Sequence, residues 1–87
     1  MVSKAVTIVN AQGFHMRPAQ MFTAAMMKYA SDVTIKFNGK DVNGKSLLSI
    51  IPACIKCGSN IEIVCSGADE EAALAEAVGM VENGFGE

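Results

Sequence analysis

The run Gly13-Phe14-His15-Met16-Arg17-Pro18-Ala19 contains the chain's one histidine, with an arginine two residues on and a proline next to it. Proline is at home in the first turn of a helix, where its missing N–H has no intrahelical partner to lose, so Pro18 places a helix start close to His15. A helix start presents backbone N–H groups without intrahelical acceptors, and its positive potential attracts anions. That potential disfavours a cation on a neighbouring imidazole, so a histidine there keeps a nitrogen lone pair for attack near neutral pH. Arg17 adds a permanent charge with bidentate reach to phosphate. A nucleophilic ring, an anion cradle and a guanidinium together suit a histidine that is transiently phosphorylated. The residues alone leave open a plainer reading, in which His15 is a surface or capping side chain, because short motifs recur without chemistry.

Two further groupings invite a chemical reading. In Gly44-Lys45-Ser46-Leu47-Leu48 a serine precedes a short apolar segment, the place of an N-cap whose hydroxyl accepts from an N2 or N3 amide. Cys54-Ile55-Lys56-Cys57 has C-x-x-C spacing, which occurs in redox pairs and as half of a zinc site. Against zinc, only Cys65 remains as a further soft ligand and His15 is engaged elsewhere. Against redox chemistry, the motif does not open a helix after a strand. The expectation is reduced, partly buried cysteines, no metal, no cofactor and no disulfide framework.

These residues must be positioned by a small core. The chain has 87 residues, 51% hydrophobic and 18% charged, which excludes a disordered polymer and fits one domain over residues 1–87. A first strand is expected over residues 5–9, and a loop over 10–13. A helix over 16–29 follows, with Phe22, Met26 and Tyr29 on one face. Val33, Ile35 and Phe37 alternate with polar residues, and Asn38-Gly39 signals a type I′ hairpin returning through residues 40–42. Ile61, Ile63 and Cys65 form the inner face of a last strand. The final helix, residues 69–83, opens on three acids, buries Leu74, Val78 and Val81, and stops at Gly84. Pro52 ends or bends the short helix near Ile51. Strands with inserted helices imply an α+β sheet covered on one face. No apolar stretch approaches the roughly 20 residues of a membrane span, and the start is too short for a secretory signal, so a cytoplasmic protein is expected.

Residues 13–19, with the Phe37-Asn38-Gly39-Lys40 hairpin, residues 43–51, the Ser66-Gly67-Ala68-Asp69-Glu70 run and the ending Gly84-Phe85-Gly86-Glu87, resemble HPr. HPr is the family of histidine-containing phosphocarriers of the bacterial sugar phosphotransferase system. The resemblance implies an open-faced sandwich, a four-stranded antiparallel sheet with three helices on one side, ordered βαββαβα. It implies that His15 accepts a phosphoryl group on Nδ1 from phospho-Enzyme I and passes it to a sugar-specific EIIA or EIIB component. Arg17 and the backbone N–H groups of Met16 and Arg17 would hold the phosphoryl oxygens. Ser46 would be the regulatory site of an HPr kinase/phosphorylase, read by a catabolite-control transcription factor. Met16, Gln20, Leu47, Leu48 and Ile51 would form the partner patch of a monomeric carrier that binds neither nucleic acid nor membrane. An alternative is a purely regulatory module acting through phosphorylated Ser46. The chain departs from the usual family pattern at Ser49, Ile51, Pro52 and Cys54, and lacks basic residues at Ala24 and Met27.

The formal net charge of −2 excludes nucleic-acid binding through bulk positive charge but hides a segregation. Residues 1–60 hold all seven Lys and Arg with only Asp32 and Asp41, a balance of +5; residues 61–87 hold seven acids and no base. The basic part contains His15, Arg17, Lys45 and Ser46, where an acidic partner would be steered. The acids of the last helix are expected to face solvent beyond its first turn.

Overall fold

The computed structural model describes residues 1–11 and 13–86; Gln12, within the expected loop, and Glu87, in the chain's ending, lie outside the described residues. Four strands, β1 (Val2–Thr7), β2 (Asp32–Phe37), β3 (Lys40–Asn43) and β4 (Asn60–Ser66), form one antiparallel sheet in the order β1-β4-β2-β3. Helices α1 (Met16–Met26), α2 (Leu47–Ile50) and α3 (Glu70–Glu82) provide the second layer. This is the expected open-faced sandwich. Side chains on one face of a strand recur at every second residue. Val33, Ile35, Ile61, Ile63 and Cys65 therefore all point into the core, where Phe22, Met26, Ala73, Ala77 and Val81 meet them.

Local chemistry explains several boundaries. Asn38 and Gly39 both have positive φ, 52° and 76°, as a type I′ turn requires. The first strand runs over residues 2–7 rather than 5–9, because its partner β4 starts at Asn60 and pairs with Thr7. Beyond it, the Ile8 N–H donates to the Ser59 carbonyl at 2.9 Å and the Gly58 N–H donates to the Ile8 carbonyl at 2.8 Å. Helix α1 ends at Met26, three residues short of the expected end, and the chain leaves it through tighter turns from Lys28 to Ala25 and from Tyr29 to Met26. In α3 the buried stripe is Ala73, Ala77, Val78 and Val81, while the expected Leu74 is only half-buried. Small alanines let the helix lie close on β1 and β4. As expected, Pro52 closes α2 at Ile50, and the chain continues as a 3₁₀ turn over Ile51–Ala53.

Asp69, expected at the start of the last helix, and Glu76, expected to face solvent, are both ties between elements. The Ala30 and Ser31 N–H groups each donate to Asp69 at 2.9 Å, and the Ser31 hydroxyl donates to the same carboxylate. The Tyr29 hydroxyl donates to Glu76 Oε1 at 2.6 Å, and Lys28 pairs with Glu76 at 3.1 Å. The Ser31 hydroxyl, then the Ala30 N–H, holds the Asp69 carboxyl below its ordinary value; the Tyr29 hydroxyl, then Lys28, does the same for Glu76. Carboxylates depressed in the folded state stabilise it above their unfolded pKa, and that stability is lost as pH falls through the folded values. The thermal midpoint is therefore expected to drop on acidification below about pH 4. Asp69→Asn should lower the midpoint at neutral pH and flatten the acid limb; an unchanged acid limb in thermal melts would contradict the assignment.

Candidate functional site

Gly13 and Phe14 lead into His15 at the start of α1. Gly13 has φ +64°, and a Cβ there would lie 2.7 Å from the Lys56 Cα and against the Ile55 carbonyl. Only glycine passes so close in that conformation. The Phe14 N–H donates to the Ile55 carbonyl at 2.9 Å, and the Asn10 side-chain amide donates to the Gly13 carbonyl at 2.6 Å. The buried Phe14 ring meets Phe22 edge-on, with centroids 5.4 Å apart, and tilts against Phe85 at 5.0 Å. His15 is thus held from behind by a fixed neighbour rather than by a loose loop.

His15 is the N-cap of α1, half-buried, with extended backbone (φ −79°, ψ −172°); its carbonyl accepts from the Ala19 N–H at 3.0 Å. Its ring makes no capping hydrogen bond. Met16 and Arg17 are the first two helical residues, both exposed, and no intrahelical acceptor exists for their N–H groups. Pro18 and Ala19 are buried and anchor the first turn. The sequence-expected set of imidazole, first-turn amides and guanidinium is therefore brought to one helix end.

The partner-patch residues divide. Leu48 is 87% exposed, Met16 52%, and Gln20 is exposed, whereas Leu47 and Ile51 are half-buried and pack against the core. Ile50, unflagged by the sequence, is the fully buried anchor of α2. The exposed Met21 and Met27 were also missed, because methionine in a helical pattern reads as core filling. Helix α2 packs on α1, which puts the two candidate modification segments on adjoining helices.

Ser46 occupies the N-cap position of α2, but its hydroxyl makes no capping hydrogen bond; its carbonyl accepts from Ser49 and Ile50 N–H, each at 3.1 Å. The expected hydroxyl cap is thus corrected to a cap by backbone alone. Lys45 is likewise not a surface charge awaiting a partner. Its ammonium donates to the Tyr29 carbonyl at 2.6 Å, in the turns that follow α1. Cys54 and Cys57 are free and exposed rather than partly buried, while Cys65 is free and buried. Burial, then the carboxylates of Glu70 and Asp69, pushes the Cys65 thiol up. Among the described residues no group of three or more His, Cys, Asp or Glu could hold a metal ion, and no helix is long and apolar enough to cross a membrane.

An open-faced antiparallel sandwich with a histidine at the N-terminus of its first helix defines the class of small phosphocarrier folds. The sequence matches the family described as "PTS HPr component phosphorylation site" over residues 2–83. It is 36% identical over 83 residues to phosphocarrier protein HPr of Borreliella burgdorferi, covering 95% of this chain and 96% of that one. It is 32% identical to the HPr-like protein Crh of Halalkalibacterium halodurans, covering 94% and 98%. Two crystal structures of HPr from Thermoanaerobacter tengcongensis, one described as a dimer, superpose with TM-scores of 0.96 and 0.80 at 32% identity. They cover all of this chain, and 98% and 100% of their own. The chain belongs to the HPr family. It is a phosphocarrier of the phosphotransferase system, not an enzyme, and its partners belong to that system.

Proposed function

We propose that residues 1–87 act as one HPr domain in which His15 is the phosphoryl acceptor. The observation that carries this reading is His15 at the N-cap of α1, beside the first-turn amides of Met16 and Arg17. A ring nitrogen, Nδ1 by the family's pattern, attacks the phosphorus of phospho-Enzyme I. A P–N bond forms as the Enzyme I histidine leaves; in the second step a histidine or cysteine of an EIIA or EIIB component takes the group, and His15 returns to its starting form. Arg17 and the two amides hold the phosphoryl oxygens, whose charge suits a helix N-terminus. Met16, Gln20 and Leu48, with the half-buried Leu47 and Ile51 beneath, form the partner face. The carrier works in the cytoplasm as a monomer. The test is incubation with Enzyme I, Mg²⁺ and phosphoenolpyruvate: one acid-labile, base-stable phosphoryl group per chain supports the reading, and no labelling by a matched Enzyme I removes it.

Ser46 is the regulatory site of this proposal. It is half-buried at the start of α2, and its hydroxyl makes no capping bond. A phosphate there adds about −2 charge next to Leu48, so it weakens docking by an acidic Enzyme I while leaving the fold intact, and an HPr kinase/phosphorylase and a catabolite-control transcription factor read the mark. Ser46→Asp is expected to slow labelling of His15 at least about tenfold, equivalent to ~1.4 kcal/mol. Equal labelling rates for Ser46→Asp and wild type would count against the switch. The relationship to a Crh protein favours one second reading, a regulatory module without carrier work. Labelling of His15 separates the two.

A further inference from the structure

Residues 54–59 form the seat on which the His15 loop rests, and each half of that seat carries an exposed thiol. The Ile55 side chain is buried, its carbonyl accepts from the Phe14 N–H, and Gly13 is pressed against Ile55 and Lys56. Gly58 and Ser59 hold Ile8 at the other end of the same loop, and the Lys56 N–H donates to the Ser59 hydroxyl at 3.1 Å. Cys54, immediately before Ile55, sits in left-handed conformation with φ +56° and ψ +46°, which side-chain-bearing residues rarely adopt. Cys57, immediately after Lys56, places its Sγ 3.9 Å from the Val9 carbonyl. The backbone between the two thiols is therefore the same backbone that fixes Gly13, Phe14 and His15.

We propose that Cys54 and Cys57 are a thiol modification site through which a low-molecular-weight disulfide controls phosphoryl acceptance at His15. This inference rests on His15 being the acceptor. The thiolate of one cysteine attacks a sulfur of the external disulfide, forming a mixed disulfide and releasing one thiolate. The thiolate of the other cysteine then attacks the protein sulfur of that bond, closing Cys54–Cys57 and releasing the second. Two protein thiols are oxidised, one external disulfide is reduced to two thiols, and the protons balance in solvent. Lys56, exposed between the two cysteines, favours an anionic reagent such as oxidised glutathione. A closed disulfide imposes a Cα separation of about 4.4–6.8 Å, whatever the intervening residues prefer. Ile55 and Lys56 cannot adjust without moving the carbonyl that holds Phe14 and the backbone that Gly13 touches. Oxidation thereby shifts His15 on its helix end, and reduction restores it.

The experiment treats the full chain with oxidised glutathione, then maps its disulfides by mass spectrometry, records ¹H–¹⁵N spectra, and measures labelling by Enzyme I and phosphoenolpyruvate. The expected result is an internal Cys54–Cys57 bond, with moved amide signals for Gly13, Phe14 and His15. Labelling should slow roughly tenfold, within the hundredfold that a 1 Å misplacement can cost, and dithiothreitol should reverse it. The double variant Cys54→Ser with Cys57→Ser should label at the untreated rate before and after oxidant. Mixed disulfides without the internal bond, or an internal bond that leaves those three amide signals in place, would overturn the proposal. Reduced protein that takes no phosphoryl group would overturn the acceptor reading instead, and the spectra would still decide whether the thiols move the loop.

Discussion

His15→Ala is expected to take no phosphoryl group from phospho-Enzyme I, with labelling below about one thousandth of wild type, the scale on which loss of a covalent nucleophile registers. The variant should stay folded. The His15 carbonyl that accepts from the Ala19 N–H at 3.0 Å is kept on truncation, and the unfolding free energy should change by about 1 kcal/mol. Arg17→Ala should retain labelling but slow it by roughly ten- to a hundredfold, because in the proposed transfer Arg17 holds phosphoryl charge without forming the bond. Phosphoenolpyruvate-dependent labelling followed by mass spectrometry measures both. Wild-type labelling of His15→Ala would show that the phosphoryl group goes elsewhere.

Gly13→Ala should destabilise the protein by about 2–5 kcal/mol, the sum of a left-handed alanine and a forced contact with backbone. That is a large share of the 5–15 kcal/mol typical of a whole domain. The Cβ would press on the Ile55 carbonyl and come within 2.7 Å of the Lys56 Cα, and backbone cannot give way as a flexible side chain can. Gly58→Ala supplies the control: φ there is +87°, but nothing lies within 4 Å of the added carbon, so only the conformational cost of about 1 kcal/mol is expected. Urea unfolding of the two variants separates clash from conformation. Because Gly13 also positions His15, the folded fraction of Gly13→Ala should label more slowly than wild type. Equal stability of the two variants would mean that Gly13 is required for its φ alone.

Much of the architecture is legible in the residues because it follows from short-range periodicity. Alternation in 33–37 and 61–65 identifies the buried sheet faces, Asn38-Gly39 fixes the hairpin, and Pro18 and Pro52 mark where one helix starts and another stops. The placement of His15 and Arg17 at a helix start is legible for the same reason, since Pro18 marks the first turn locally. Helix ends are less so. Nothing near Tyr29 in sequence says that Lys45 will bind its carbonyl, or that Asp69 will take the next two N–H groups.

The acidic tail makes the same point about charge. Counting residues divides the chain into a basic part and an acidic part, and that division stands. Which charges are available to a partner is another matter, because Lys45, Asp69 and Glu76 are engaged within the fold. The sequence by itself determined the strand faces, the hairpin and the placement of His15 at a helix start, which depend on neighbours a few residues apart, and, through resemblance along the whole chain, the family. Only the tertiary structure decided where α1 stops, which acids are structural ties, that Leu48 rather than Leu47 or Ile51 is fully presented, and that two exposed thiols lie in the segment on which the His15 loop rests. Those outcomes depend on groups dozens of residues apart meeting in space, and no periodicity along a chain encodes such a distance.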